Sequence, residues 1–294
     1  MGVKMNWRCF LCHFGKHVDT ASHLGDEETV TAFSKDLMRL YLSAPEDASL
    51  TWFGTGTNSL YQKYFDLPAD RFLAEKDFSN RFVMERFSTI RQRVKGEVDP
   101  VYAGLQYAIL GNYIDFSALH GEVSFDAFEE MLDRAGDLAV DREAYARLCH
   151  DLAAGKRLLY LTDNAGEIGF DRIFAEEIAG KYPHLDITFC VRGGPAANDA
   201  LRCDAETVGI PFRVIDNGNS LAGTELTCLG AEAKAAMETA DVIISKGQAN
   251  VESLYGSGYN IYYAFLIKCQ RFMELFNKEK FTPMLVRERE DENQ

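Results

Sequence analysis

Asp163 and Asn164 set a carboxylate and an amide oxygen side by side, directly after the apolar run Arg157–Thr162 (RLLYLT). Both are hard oxygen donors of the kind that hold Mg²⁺ or Mn²⁺. Ala165 and Gly166 follow, and a helical pattern opens at Glu167. Small residues at that point leave a helix N-terminus accessible, where backbone N–H groups and the helix dipole favour an anion. A cation site beside an anion site suits a phosphate ester. Asp199, behind Gly193-Gly194-Pro195 and Asn198, is a second carboxylate of the same kind, and Lys246 closes another apolar run, where its ammonium could hold a phosphate as a point charge. Each residue alone has a plainer reading: Asp163 and Asp199 as helix N-caps, Lys246 as a solvent-facing strand end. Their recurrence at successive strand ends favours a shared site, because ligands of open parallel sheets bind beyond the carboxyl ends of the strands.

Two further groups could carry chemistry. Cys9 and Cys12 form a CxxC pair next to His13 and His17, and Cys269 could fold back to join them. A single CxxC without a second pair is a weak zinc signal, and incidental thiols are the commoner outcome. Asn112 and Asp115, three residues apart, would share a helix face and either reach the cleft or end the helix.

The elements that must position these residues divide near residue 150. The first half reads as helical. Residues 26–44 carry Val30, Phe33, Leu37, Leu40 and Tyr41 at helical spacing, and residues 69–95 repeat the pattern with Phe72, Phe78, Phe82 and Phe87. Pro100 opens a third apolar helix, and Ser124 could cap a fourth through Phe128 and Leu132. In the second half, short apolar runs at 157–162, 186–192, 212–215 and 241–245 alternate with helical patterns at 168–180, 197–208 and 226–239, and a last strand falls at Pro283–Val286. That alternation predicts βαβ units: a three-layer α/β/α, Rossmann-like, mostly parallel sheet over 151–294, with a helical N-terminal subdomain over 1–150.

Composition narrows the partners. The 294 residues hold 31 Lys plus Arg against 45 Asp plus Glu, a net charge of −14, so nucleic acid is a poor fit. An anionic small molecule remains compatible, since a bound divalent ion reverses the local field. No stretch reaches the roughly 18 apolar residues of a membrane span. Seven cysteines without an export signal predict reduced thiols and a cytoplasmic location. The oligomeric state is not legible.

Three ordered motifs carry a resemblance. Tyr160–Asp171 (YLTDNAGEIGFD), Val191–Ala200 (VRGGPAANDA) and Ile244–Leu254 (ISKGQANVESL), with Gly223-Thr224 between the last two, resemble the damage-control metallophosphatases, also called domain-of-unknown-function family eighty-nine. The resemblance covers most of residues 155–270. It implies a divalent ion (Mn²⁺, Mg²⁺, Co²⁺ or Ni²⁺) on Asp163, Asn164 and Asp199, Lys246 near the phosphate, and hydrolysis of small phosphorylated metabolites. Gln248 stands where the eukaryotic sugar-phosphate branch has Asp, and that branch's C-terminal Arg-Thr-x-Lys motif is missing. The Gln form with an N-terminal CxxC is similar to the prokaryotic branch.

The expected reaction is metal-assisted attack of water on a phosphomonoester. Lys246 and the backbone N–H groups near Gly166 would stabilise the phosphoryl oxygens. Glu167 would order water or act as general base, Asn112 would contact substrate, Asn198 and Asn250 would either contact substrate or support the ligating residues from behind, and Asp163 as a covalent nucleophile stays open. The rivals are a non-catalytic phosphometabolite-binding protein, a methyltransferase, which would want a Gly-rich turn where Asp163-Asn164 stands, and a thiol or zinc module on Cys9 and Cys12.

Overall fold

The computed structural model describes residues 2–46, 48–114 and 125–288. Helix α1 (Trp7–Ser22) starts where the Asn6 side chain accepts from the N–H groups of Arg8 and Cys9. Asp26 caps α2 (Glu27–Leu42) in the same way, through Thr29. Side-chain oxygens at these positions satisfy donors that a helix cannot pair internally. With α3 (Gly54–Phe65), these helices bury a small aromatic cluster around Phe33, Leu37 and Tyr61. Helix α4 (Leu73–Gly96) leads to α5 (Pro100–Gly111), which opens at Pro100 as the sequence predicts and is capped by Asp99. Every residue of α5 from Val101 to Gly111 is buried, so this helix belongs inside the molecule. Helices α6 (Phe125–Asp133) and α7 (Arg142–Ala154) complete the first half, which contains no strand among the described residues. Ser124 and Asp115 lie outside the described residues.

The second half builds one six-stranded sheet from β1 (Arg157–Leu161), β2 (Asp186–Val191), β3 (Arg213–Asp216), β4 (Val242–Lys246), β5 (Ile261–Leu266) and β6 (Pro283–Arg287). Their spatial order is β3-β2-β1-β4-β5-β6. The first five run parallel, and β6 returns antiparallel to β5. Between them lie α8 (Glu167–Lys181), α9 (Arg202–Thr207), α10 (Ala231–Thr239), α11 (Gln248–Leu254) and α12 (Gln270–Phe276). Alternation along β1 sends Leu158 and Tyr160 to one face and Leu159 and Leu161 to the other. The first face packs on α5, α7 and α8, through residues such as Leu105, Leu148 and Phe174. The second packs on α10, α11 and α12, through Met237, Leu254 and Phe272. The result is the expected three-layer α/β/α architecture with a helical N-terminal region. Helices α5 and α7 contribute to the same core as the strands.

β1 pairs with β2 on one side and β4 on the other. The winding therefore reverses at β1, and a crevice opens between the loops that leave β1 and its neighbours. Two sequence expectations change. The run Ile261–Leu266 (IYYAFL) is a strand buried throughout, not read as one from sequence. The segment 197–208 is helical only from Arg202; Ala197 has a positive φ of 46°, and Asp199 pairs its backbone with Asn164 in an isolated antiparallel bridge.

Candidate active site

That bridge is what assembles the site. Ala200 N–H donates to the Asp163 carbonyl at 2.8 Å, and Ala165 N–H donates to the Asn198 carbonyl at 2.9 Å. The loop leaving β2 is thereby laid against the loop leaving β1. Asp163, Asn164 and Asp199 come together on the floor of a cleft of about 810 Å³. Neither aspartate caps a helix: the N-cap position of α8 falls on Gly166, and that of α9 on Leu201.

Side-chain hydrogen bonds fix the donors. Asp163 Oδ2 accepts from Asn112 Nδ2 and Asn164 Nδ2, both at 2.9 Å. Asn164 Oδ1 accepts from Asn198 Nδ2 at 2.8 Å. Asp199 Oδ2 accepts from Arg192 Nε at 2.6 Å, and Arg192 Nη2 stands 3.9 Å from Asp163 Oδ1. Gly247, at φ +76°, backs directly on this floor: a Cβ there would meet Asp163 Oδ2 at 1.9 Å. Only glycine combines that backbone conformation with that approach.

Two carboxylates and amide oxygens form a hard donor set suited to Mg²⁺ or Mn²⁺. Asn198 Oδ1 is buried with no hydrogen-bond partner among the described residues, an unsatisfied acceptor of the sort a hard cation or its hydration would meet. The residues fit a divalent ion on these grounds. No group of three or more His, Cys, Asp or Glu residues is arranged to hold a metal among the described residues, so an ion here depends on the amide oxygens as well as the two carboxylates.

Beneath the floor lies a buried charge network. Lys246 Nζ donates to Glu167 Oε1 at 2.7 Å, Asp171 Oδ1 at 2.6 Å and the Ala108 carbonyl at 2.7 Å. All three side chains are fully buried. Burial opposes the Lys246 charge, but Asp171 and Glu167 outweigh it and raise its pKa. One ammonium faces two carboxylates, and burial pushes Asp171 up to about 7. Tyr160 OH donates to Asp171 Oδ1, while Oδ2 lacks a partner among the described residues.

Several expected roles shift accordingly. Lys246 does not face a phosphate: its three donors are all taken by protein acceptors. Glu167 accepts from Asn112, Asn164 and Lys246 and has no exposure, so it orients Asn164 and Asn112 and is not placed as a general base. The N–H of Gly166 is satisfied by Asn80 Oδ1 at 2.7 Å, and a Cβ at Gly166 would meet that of Ser79 at 2.7 Å. The N-terminus of α8 is therefore closed by α4 and is not an anion site. Asn250 donates to the Thr162 and Lys246 carbonyls and accepts from Arg192 and Thr224, which leaves no atom of it for a ligand. Asn112 bridges Asp163 and Glu167, and its Oδ1 accepts from Leu266 N on β5. Asn198 holds Asn164. Asn112 and Asn250 are thus committed to the protein, whereas Asn198 uses its Nδ2 on Asn164 and keeps an Oδ1 with no partner among the described residues.

The cations that do line the cleft were not singled out from sequence. Arg8 and Lys16 come from α1, Arg71 from the segment before α4, and Lys268 and Arg271 from the end of the sheet and α12. Arg192 went unnoticed too, although it is the first residue past β2 and the strand-end rule would have reached it. Asn80 and Asp204, linked at 2.7 Å, carry no local signal. Cys9, Cys12 and Cys269 line the same cleft, and all seven cysteines are free thiols. Gln248 accepts from Lys268 N and donates to Glu252, which ties β4 to the 268–269 segment.

Comparison with known proteins agrees with this architecture. A crystallised family-eighty-nine protein of Pyrococcus horikoshii superposes with a TM-score of 0.83 at 24% identity, covering 97% of this chain and 99% of that one. An uncharacterized protein of Methanocaldococcus jannaschii is 31% identical, over 92% of this chain and 91% of its own. A damage-control phosphatase of Archaeoglobus fulgidus is 28% identical, over 91% and 93%. The Damage-control phosphatase ARMT1-like domain family matches residues 5–282, and the chain belongs to that family.

Proposed function

We propose that this protein is a divalent-metal-dependent phosphatase acting on phosphomonoesters of small metabolites in the cytoplasm. The observation that carries the reading is the convergence of Asp163, Asn164 and Asp199 on a cleft floor whose walls carry Arg8, Lys16, Arg71, Lys268 and Arg271. Oxygen donors below and cations around suit a phosphoryl group held between an ion and basic side chains. Asp163, Asn164 and Asp199 would hold Mn²⁺, Mg²⁺, Co²⁺ or Ni²⁺, which when bound supplies Lewis-acid polarisation of a phosphoryl oxygen. Asn112, Asn198 and Glu167 keep the donors oriented. Arg192 compensates the two aspartates from behind. The cleft-wall cations neutralise the phosphate and stabilise charge developing on its oxygens. No helix among the described residues is long and apolar enough to cross a membrane, consistent with a metabolite substrate reached from water.

The test is phosphate release from a panel of small phosphate esters, after chelation and again with each divalent ion restored. Turnover lost on chelation and regained with an ion is the expected result. Turnover undiminished by chelation refutes the metal role. No turnover with any ion, in a folded protein that binds it, refutes the enzyme role and leaves phosphometabolite binding.

A further inference from the structure

Helix α1 carries a second arrangement on the cleft wall, one that the reading above does not use. His13 and His17 stand four residues apart, so they share a face one turn apart. Both line the cleft. Their Nε2 atoms converge to 3.1 Å, and each ring is held from its other side: His13 Nδ1 lies 2.6 Å from Tyr41 OH, and His17 Nδ1 lies 3.0 Å from Tyr61 OH.

Tyr61 OH stands 3.2 Å from the His17 carbonyl and 3.0 Å from His17 Nδ1; with its proton on the carbonyl, its oxygen accepts from His17 Nδ1–H. A neutral His17 then presents an Nε2 lone pair towards His13. Burial pushes His13 down to about 4, so it is neutral near pH 7, the form that binds metals. The Tyr41 hydroxyl can donate to His13 Nδ1 or accept from it. In the first case His13 Nε2–H donates to His17. In the second, both Nε2 lone pairs converge. Imidazole nitrogens bind Zn²⁺ at about 2.1 Å. Half of the 3.1 Å separation against that bond length gives an angle of about 95° at a shared ion, suited to two neighbouring ligand positions.

We propose that His13 and His17 form a two-histidine site for a borderline divalent transition ion, Zn²⁺ foremost, on the cleft wall and separate from the oxygen donors of the floor. Imidazole suits Zn²⁺, Ni²⁺ or Co²⁺, whereas the floor's oxygens suit harder ions. Tyr41 and Tyr61 supply the outer hydrogen bonds that ligating histidines require at Nδ1. No third His, Cys, Asp or Glu completes the group among the described residues, so the ion keeps open positions towards the cleft. Cys9, one turn before His13, lines the same wall, but burial raises its pKa and keeps it a thiol, a poor ligand.

The test adds Zn²⁺ to the full-length protein with ¹⁵N-labelled histidine and follows the six imidazoles by NMR. Two Nε2 resonances should move to metal-ligated positions, with a proton on each Nδ1 in the loaded protein. The shifts should vanish in His13→Ala and in His17→Ala and persist in Asp199→Ala. Tyr41→Phe and Tyr61→Phe, which leave the aromatic packing in place, should each weaken Zn²⁺ binding about 10-fold or more. The tyrosine variants carry the test if an alanine variant does not fold. If Zn²⁺ moves no histidine nitrogen, the pair is a hydrogen-bonded link only and the proposal falls. Shifts that survive in His17→Ala, or unchanged affinity in both tyrosine variants, overturn it as well.

Discussion

Lys246→Met asks whether the buried cation beneath the cleft holds the site together. The ammonium lies 2.7 Å from Glu167 and 2.6 Å from Asp171, and none of the three side chains is exposed. Methionine keeps the length and removes the charge, leaving two carboxylates in a dry interior with no cation. Breaking a buried pair costs about 3–5 kcal/mol, and the upper end is expected where two acids depend on one ammonium. That is a large share of the about 5–15 kcal/mol that holds a typical domain folded. The cost should depend on pH. Burial already lifts Asp171 from 3.8 to about 7. As pH rises from about 4 to about 7 the unfolded chain releases this proton first, so wild-type stability declines across that window and levels above it. Asp171→Asn removes the slope and leaves Lys246 facing Glu167 alone, so its own stability should change by no more than about 1 kcal/mol across the same window. Urea unfolding followed by far-ultraviolet circular dichroism, between about pH 5 and pH 8, reads all of this. Lys246→Met should be weakest at about pH 8, and adding Asp171→Asn should restore at least about 1 kcal/mol, because the two residues share one network. Wild-type stability of Lys246→Met at the higher pH refutes the argument, as does a double variant no better than the single.

Other perturbations address the floor itself. Asp199→Ala should reduce turnover by about 10³-fold or more without unfolding the chain, since an ion supplies several kcal/mol of transition-state stabilisation; retained turnover with the ion still bound would remove Asp199 from the site. Arg192→Met should cost about 3–5 kcal/mol in chelated protein, because it strips a buried counter-charge from Asp199. Added Mn²⁺ should recover part of that loss in thermal unfolding, by pairing the same carboxylates; no recovery would argue that no ion binds there. Gly247→Ala should cost about 1–3 kcal/mol and lower kcat at least tenfold, since its Cβ would fall on Asp163 Oδ2 at a positive φ; a near-silent variant would mean that Asp163 is free to move.

The sequence reading reached the sheet because buried parallel strands stop abruptly at polar residues, and it reached Asp163, Asn164 and Asp199 because each follows such a stop. It missed β5 because Ile261–Leu266 is aromatic on both faces and has no alternation to mark it. It misread 197–208 because Ala200, Leu201 and Ala205 fall at helix-compatible spacing, whereas the backbone bridge to Asn164 holds the first part extended. The roles assigned to Lys246, Gly166 and Glu167 failed for one shared reason. Strand ends were treated as facing solvent, and here α4 and α5 close over them: Asn80 from α4 meets Gly166, and the Ala108 carbonyl of α5 meets Lys246. Those contacts span 86 and 138 residues, and no local pattern encodes them. The helical first half is thus the reason that some polar strand-end residues became interior scaffolding while Asp163, Asn164 and Asp199 remained on the cleft. It also supplies Arg8, Lys16 and Arg71 to the lining of the cleft, so the charge balance of the site is set by residues far in sequence from the motifs that carry its oxygen donors.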